Sequence, residues 1–175
     1  MPENILLIGF MGTGKSTIGR LLSQSLGYPL VDTDELIEER AGKSIPQIFE
    51  DDGEEAFRKI EAETLSSLAE AQHHVISTGG GVVVNEHNRK LLPTLGYVVW
   101  LVAKPEEILD RTSRNANRPL LQTENPEETI RKLLNERTPF YQEASHLCIE
   151  TDQLDFDEVV TGILESARYY FSKKG

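Results

Sequence analysis

The stretch ILLIGFMGTGKST, Ile5 to Thr17, joins a short apolar run to glycines at 9, 12 and 14 and ends on Lys15, Ser16 and Thr17. Gly9 to Ser16 satisfies G-x-x-x-x-G-K-[ST] without a mismatch, and it stands between an apolar run and the helical spacing of Ile18, Leu21 and Leu22. Glycines let the backbone turn so that amide N–H groups converge on phosphate oxygens, and the positive end of the following helix adds to the attraction. In such a loop Lys15 reaches the β- and γ-phosphates and the Ser16 hydroxyl ligates magnesium. A glycine-rich turn that binds nothing would leave Lys15 without a purpose.

The order strand, phosphate turn, helix also sets the fold class. Apolar runs recur at Leu30-Val31, Val75-Ile76, Val98 to Val102 and Leu147 to Ile149, and all read as buried strands. Helical spacing separates them, in Phe57, Ile60, Leu65 and Leu68 and again in Val159, Val160, Ile163, Leu164 and Ala167. Gly and Pro sit between periodic segments as punctuation. Strands apolar throughout and alternating with helices predict a parallel sheet covered on both faces, here a five-stranded, three-layer α/β/α domain.

With 175 residues the chain holds one sizeable core, and residues 1–175 read as a single domain. Its 18 basic and 29 acidic residues leave a net charge of -11, which repels nucleic-acid backbones and anionic membranes. The single cysteine, Cys148, makes no internal disulfide, and no apolar run approaches the roughly 18 residues of a membrane span. A soluble cytoplasmic protein is the expectation, without a secretory leader. The small size suggests a monomer.

A P-loop serves motors, switches and kinases alike, so the remainder of the chain must decide. No N-K-x-D segment is present, which argues against a switch GTPase. The second strand runs into Asp32-Thr33-Asp34, and strand carboxyl ends line the ligand crevice of an open α/β sheet. One carboxylate could face hydrated magnesium and the other an acceptor hydroxyl, although Asp32 or Thr33 could instead cap the next helix. The third strand ends in Ser77-Thr78-Gly79-Gly80-Gly81, either a site of close approach by a ligand or backbone, or a flexible turn. Arg58, with Glu61 one turn on, and Arg137 read singly as surface charges and together as a clamp for a carboxylate. RTSRNANRPLLQ, Arg111 to Gln122, is an ordinary surface loop or a basic lid that excludes water over a nucleotide.

Taken together, GFMGTGKST, the DTD at Asp32 to Asp34, FRKIE around Arg58, STGGG ending at Gly81, NRPLL with Arg118 and ERTPFYQEA from Glu136 resemble the shikimate kinases, P-loop enzymes of the nucleoside monophosphate kinase-like fold. The likeness spans nearly the whole chain. It implies transfer of the ATP γ-phosphate to the 3-hydroxyl of shikimate, on the route through chorismate to the aromatic amino acids. It implies that Gly12, Thr13, Gly14, Lys15, Ser16 and Thr17 hold the ATP phosphates, with one Mg2+ on Ser16 and, through water, on Asp32. Asp34 would be the base, Lys15 and Arg118 its catalytic partners, and Arg111 would lie against the adenine. Arg58, Arg137 and Gly79, Gly80 and Gly81 would join Asp34 in binding shikimate. Nucleotide contacts near Gln153 and Leu154, a substrate segment at about 33–61 and a lid at about 112–124 belong to the same resemblance.

Rival readings are another small-metabolite kinase of this build, such as a gluconate or nucleoside monophosphate kinase, and a nucleotide or metabolite binder without catalysis. Retention of Lys15, Asp34 and Arg118 together argues against the binder. His73 and His74 lack cysteine partners at metal spacing and read as packing or solvated side chains. Cys148 reads as a buried small hydrophobe, and Glu50 to Glu55 as a solvated turn and helix start.

Overall fold

The computed structural model describes residues 3–113, 121, 123–152 and 154–173. Five strands, β1 (Ile5–Ile8), β2 (Leu30–Asp32), β3 (Val75–Ser77), β4 (Tyr97–Val102) and β5 (Leu147–Glu150), form one parallel sheet in the order β2-β3-β1-β4-β5. Helices α1 (Lys15–Leu26), α2 (Thr33–Ala41), α3 (Ile45–Asp51), α4 (Gly53–Ser66), α5 (Glu86–Leu95), α6 (Pro105–Ser113), α7 (Pro126–Ala144) and α8 (Phe156–Ser172), with a short 3-10 turn at Val82–Val84, complete the described elements.

The two-residue period of β1 divides its side chains between two cores. Ile5 and Leu7 join Ile18 and Leu22 of α1 and Val159 and Ile163 of α8, whereas Leu6 and Ile8 join Leu65 of α4, Leu92 of α5 and Tyr141 of α7. These four β1 side chains are at most 2 % exposed, which is why the strand reads as an unbroken apolar run. The three-layer α/β/α expectation therefore holds. A smaller cluster of Ile37, Ile48 and Phe57 ties α2, α3 and α4 into a unit beyond the carboxyl end of β2.

Three details differ from the sequence reading. Strand β5 is half-buried, and Cys148 is exposed. The strand ends the sheet and pairs with β4 alone, so Leu147 and Ile149 pack into the core beside α8 while Cys148 and Glu150 alternate to the uncovered face. Pro93 and Pro139 also lie inside α5 and α7 rather than between elements. Helix α3, which only ends in the acidic stretch, escaped notice, although Ser44 and Gln47 form a capping box at its start. Among the described residues no helix is long and apolar enough to cross a membrane.

Candidate active site

Gly12 and Gly14 adopt φ of 78° and 96°, a region costly for side chains, and so turn the chain from β1 into α1. The resulting hollow of about 180 Å³ is lined by Gly12, Gly14, Lys15, Ser16 and Thr17 together with Asp32 and Asp34. Lys15 is buried, and its Nζ donates to the carbonyls of Gly9 and Phe10 at 2.8 Å each. Thr13 turns its hydroxyl inward to Phe10 O at 2.8 Å, which leaves only its backbone for a nucleotide. Arg111, on α6, donates to Gly12 O at 3.1 Å and lies 3.5 Å from Glu107, flanking the loop from behind.

Asp32 performs the capping duty foreseen for it, since its Oδ1 accepts from Asp34 N at 2.9 Å at the start of α2. Asp32 also borders the phosphate hollow. Ser16 and Asp32 thus supply hard oxygen donors to one wall, the chemistry that suits Mg2+ once phosphate and water oxygens complete the shell. Among the described residues no cluster of three His, Cys, Asp or Glu could hold a metal by itself.

Beside this hollow lies a cavity of about 550 Å³. Asp34, Arg58, Glu61, Arg137 and Gly79 to Gly81 line its polar side, and Ile45, Pro46, Phe49 and Phe57 its apolar side. Asp32, Asp34, Gly79 and Gly80 border both spaces, so Asp34 stands on their common wall. Phe49 packs on Phe57 with centroids 4.8 Å apart, an apolar wall that the sequence reading missed and that the aromatic spacing across α3 and α4 could have signalled.

Arg58 has two carboxylate partners of unequal character. Its Nη1 donates to both oxygens of buried Glu61 at 3.0 and 3.2 Å, while Nε and Nη2 reach exposed Glu54 at 3.3 and 3.1 Å. Burial pushes the Glu61 carboxyl above its ordinary value, and the Arg58 guanidinium opposes that rise. The Glu54 pair, screened by solvent, contributes little to stability. Its two guanidinium donors are therefore the ones most readily transferred to an incoming carboxylate.

Arg137, buried on α7, donates to Gly80 O at 3.3 Å and lies over the Phe10 ring at 5.6 Å. The structure brings Lys15, Ser16, Asp32, Asp34, Arg58, Arg137 and the three glycines together around two adjoining spaces. Leu154 is exposed on the loop before α8. Arg118 and Gln153 lie outside the described residues.

The Shikimate kinase family model matches residues 11–168. A shikimate kinase of Actinobacillus pleuropneumoniae is 46% identical over 163 residues, 93% of this chain and 94% of its own. In structure, the shikimate kinase of Acinetobacter baumannii in complex with shikimate superposes with a TM-score of 0.92 at 42% identity, over 97% of this chain and 95% of that one. A gluconokinase of Sinorhizobium meliloti, with TM-score 0.60 and 16% identity over 99% and 98% of the two chains, shares the fold alone. A family match across most of the chain, with such identity carried from end to end, means that the chain belongs to the shikimate kinase family.

Proposed function

We propose that this chain transfers the γ-phosphoryl group of ATP to the 3-hydroxyl of shikimate, and that the site residues divide the work as follows. The observation that carries the assignment is the position of Asp34 on the wall shared by the phosphate hollow and the arginine-lined cavity. The amides of Gly12 to Thr17 and the Lys15 ammonium hold the phosphates, with the Lys15 charge placed to meet negative charge developing on the γ-phosphoryl oxygens. Arg58 and Arg137 fix the shikimate carboxylate, and the hydroxyl to be phosphorylated then faces Asp34.

Asp34 accepts the hydroxyl proton as the new O–P bond forms, the bond to the β-γ bridging oxygen breaks, and ADP departs. Ser16 and, through water, Asp32 would hold one Mg2+ ion, which would neutralise phosphate charge. Arg118 serves as the lid arginine, and Arg111 flanks the adenine side. Glu61 keeps the Arg58 guanidinium oriented while Glu54 gives way. The protein acts as a cytoplasmic monomer.

Incubation of the purified protein with ATP, Mg2+ and shikimate, with products identified by mass spectrometry, tests the reading. Phosphoshikimate and ADP in equal amounts are expected. Phosphorylation of gluconate in preference to shikimate, or ATP binding with no transfer to shikimate, would overturn it.

A further inference from the structure

The carbonyls of the glycine loop are tied down from Gly79 to Val84. Gly79 O accepts from Val82 N at 3.2 Å and Gly81 O from Val84 N at 3.0 Å. Asn88 on α5 donates to Val82 O at 3.0 Å, and Arg89 on the same helix donates to Val83 O and Val84 O at 2.9 and 3.1 Å. Gly80 O takes the Tyr141 hydroxyl as well as Arg137. The amides are less committed. Gly79 N donates to Thr33 Oγ1 at 3.3 Å, but among the described residues nothing accepts from the N–H groups of Gly80 and Gly81.

The peptide joining Gly80 to Gly81 is trans, so the carbonyl of one and the N–H of the next point in opposite directions. Tyr141 is not part of the cavity lining, whereas Gly81 is. Arg137, which does line the cavity, holds the same carbonyl, so Tyr141 and Arg137 together fix the orientation of this peptide and with it the Gly81 N–H. Glycine on both sides of this peptide makes its rotation cheap, and a fixed donor at this point therefore needs an external restraint.

We infer that Tyr141 is a positioning residue for the acceptor: its hydroxyl holds the Gly80 carbonyl and so keeps the Gly81 N–H turned toward an oxygen of the bound substrate. The surroundings of Tyr141 suit that duty. The side chain is fully buried, stacks on Trp100 at 5.6 Å and belongs to the apolar cluster beneath the sheet's carboxyl edge. Burial pushes the phenol up to about 12, so it stays a neutral donor at any working pH. A ring needed for packing alone would have no use for a hydroxyl aimed at a loop 61 residues away in sequence.

The inference rests on shikimate being the acceptor, and its test separates the two. In Tyr141→Phe, KM for shikimate is expected to rise about fivefold to twentyfold, the size of one lost positioned hydrogen bond. KM for ATP and kcat should stay within about twofold, because the phosphate side is untouched. In the ligand-free protein, NMR relaxation of the Gly81 amide should report a more mobile peptide. An unchanged KM for shikimate, or equal losses for both substrates, would overturn the role. Should Tyr141→Phe fold too poorly to assay, Arg89→Met loosens the same loop from its far end and should raise the same KM by a smaller factor; no rise there would also overturn it. Wild-type protein that ignores shikimate would sink the substrate assignment instead, while the relaxation measurement would still judge the restraint.

Discussion

The two glycine-rich loops of the site use the same residue for different reasons. In the P-loop, Gly12 and Gly14 have positive φ, and the nearest obstacle to a methyl group on Gly14 is the Phe156 ring at 3.4 Å, an ordinary contact. Conformation is what excludes a side chain there. Gly79, Gly80 and Gly81 have no such backbone requirement, yet a methyl on Gly79 would stand 2.6 Å from Asp34 Oδ1 and one on Gly81 2.6 Å from Arg58 Nη2. A methyl on Gly80 would press on the P-loop itself, 3.1 Å from Met11 N. The donor loop needs glycine at 12 and 14 chiefly to bend, and at 9 also because a methyl would stand against Leu101 O, whereas the acceptor loop needs it to let a carboxylate, a guanidinium and a second backbone come close.

The comparison can be broken most forcefully at Asp34, which stands on the wall between the two spaces. Asp34→Asn keeps the shape but removes the base, and turnover is expected to fall by about 10²- to 10⁴-fold with ATP affinity nearly intact. Stopped-flow and nucleotide titration would check this, and undiminished turnover would remove Asp34 from the role of base. Gly79→Ala should come next, because displacing a reacting carboxylate by a fraction of an ångström to about 1 Å lowers kcat by roughly 10- to 100-fold. Unfolding of that variant should stay near the wild-type midpoint, since its backbone is unstrained.

Gly81→Ala pushes on Arg58 instead, and should raise KM for shikimate by about tenfold while sparing kcat, the mark of lost ground-state binding. Smallest of all is Gly27→Ala at the end of α1. There φ is 68° and nothing lies within 4 Å, so the cost is conformational alone, about 1 kcal/mol of stability with unchanged kinetics. A denaturant titration would measure it. If Gly79→Ala and Gly27→Ala showed the same pattern, the distinction between crowding and conformation would fail.

Much of this was legible in local sequence. The loop from Gly9 to Thr17 lies where its motif and flanking periodicity place it, and the i, i+3 spacing of Arg58 and Glu61 foretold their ion pair. The DTD segment announced carboxylates at a strand's carboxyl end, and Asp32 performs the capping duty considered for it while bordering the phosphate hollow. Glu54 was missed although it lies one helical turn before Arg58, and the apolar wall of Phe49 and Phe57 was missed because each reads locally as ordinary core.

What the sequence determined by itself were features set by neighbours along the chain: strand and helix periodicity, the positive-φ turn of the P-loop, and the pairing of charges one turn apart. Tertiary structure alone decided that β5 is an edge strand, which exposes Cys148 despite its apolar neighbours. It also decided which group each glycine of the acceptor loop must admit, and that the Tyr141 hydroxyl meets Gly80. Those contacts join elements far apart in the chain. Their geometry comes from how the layers stack, and no local pattern of residues encodes the distance at which two such elements meet.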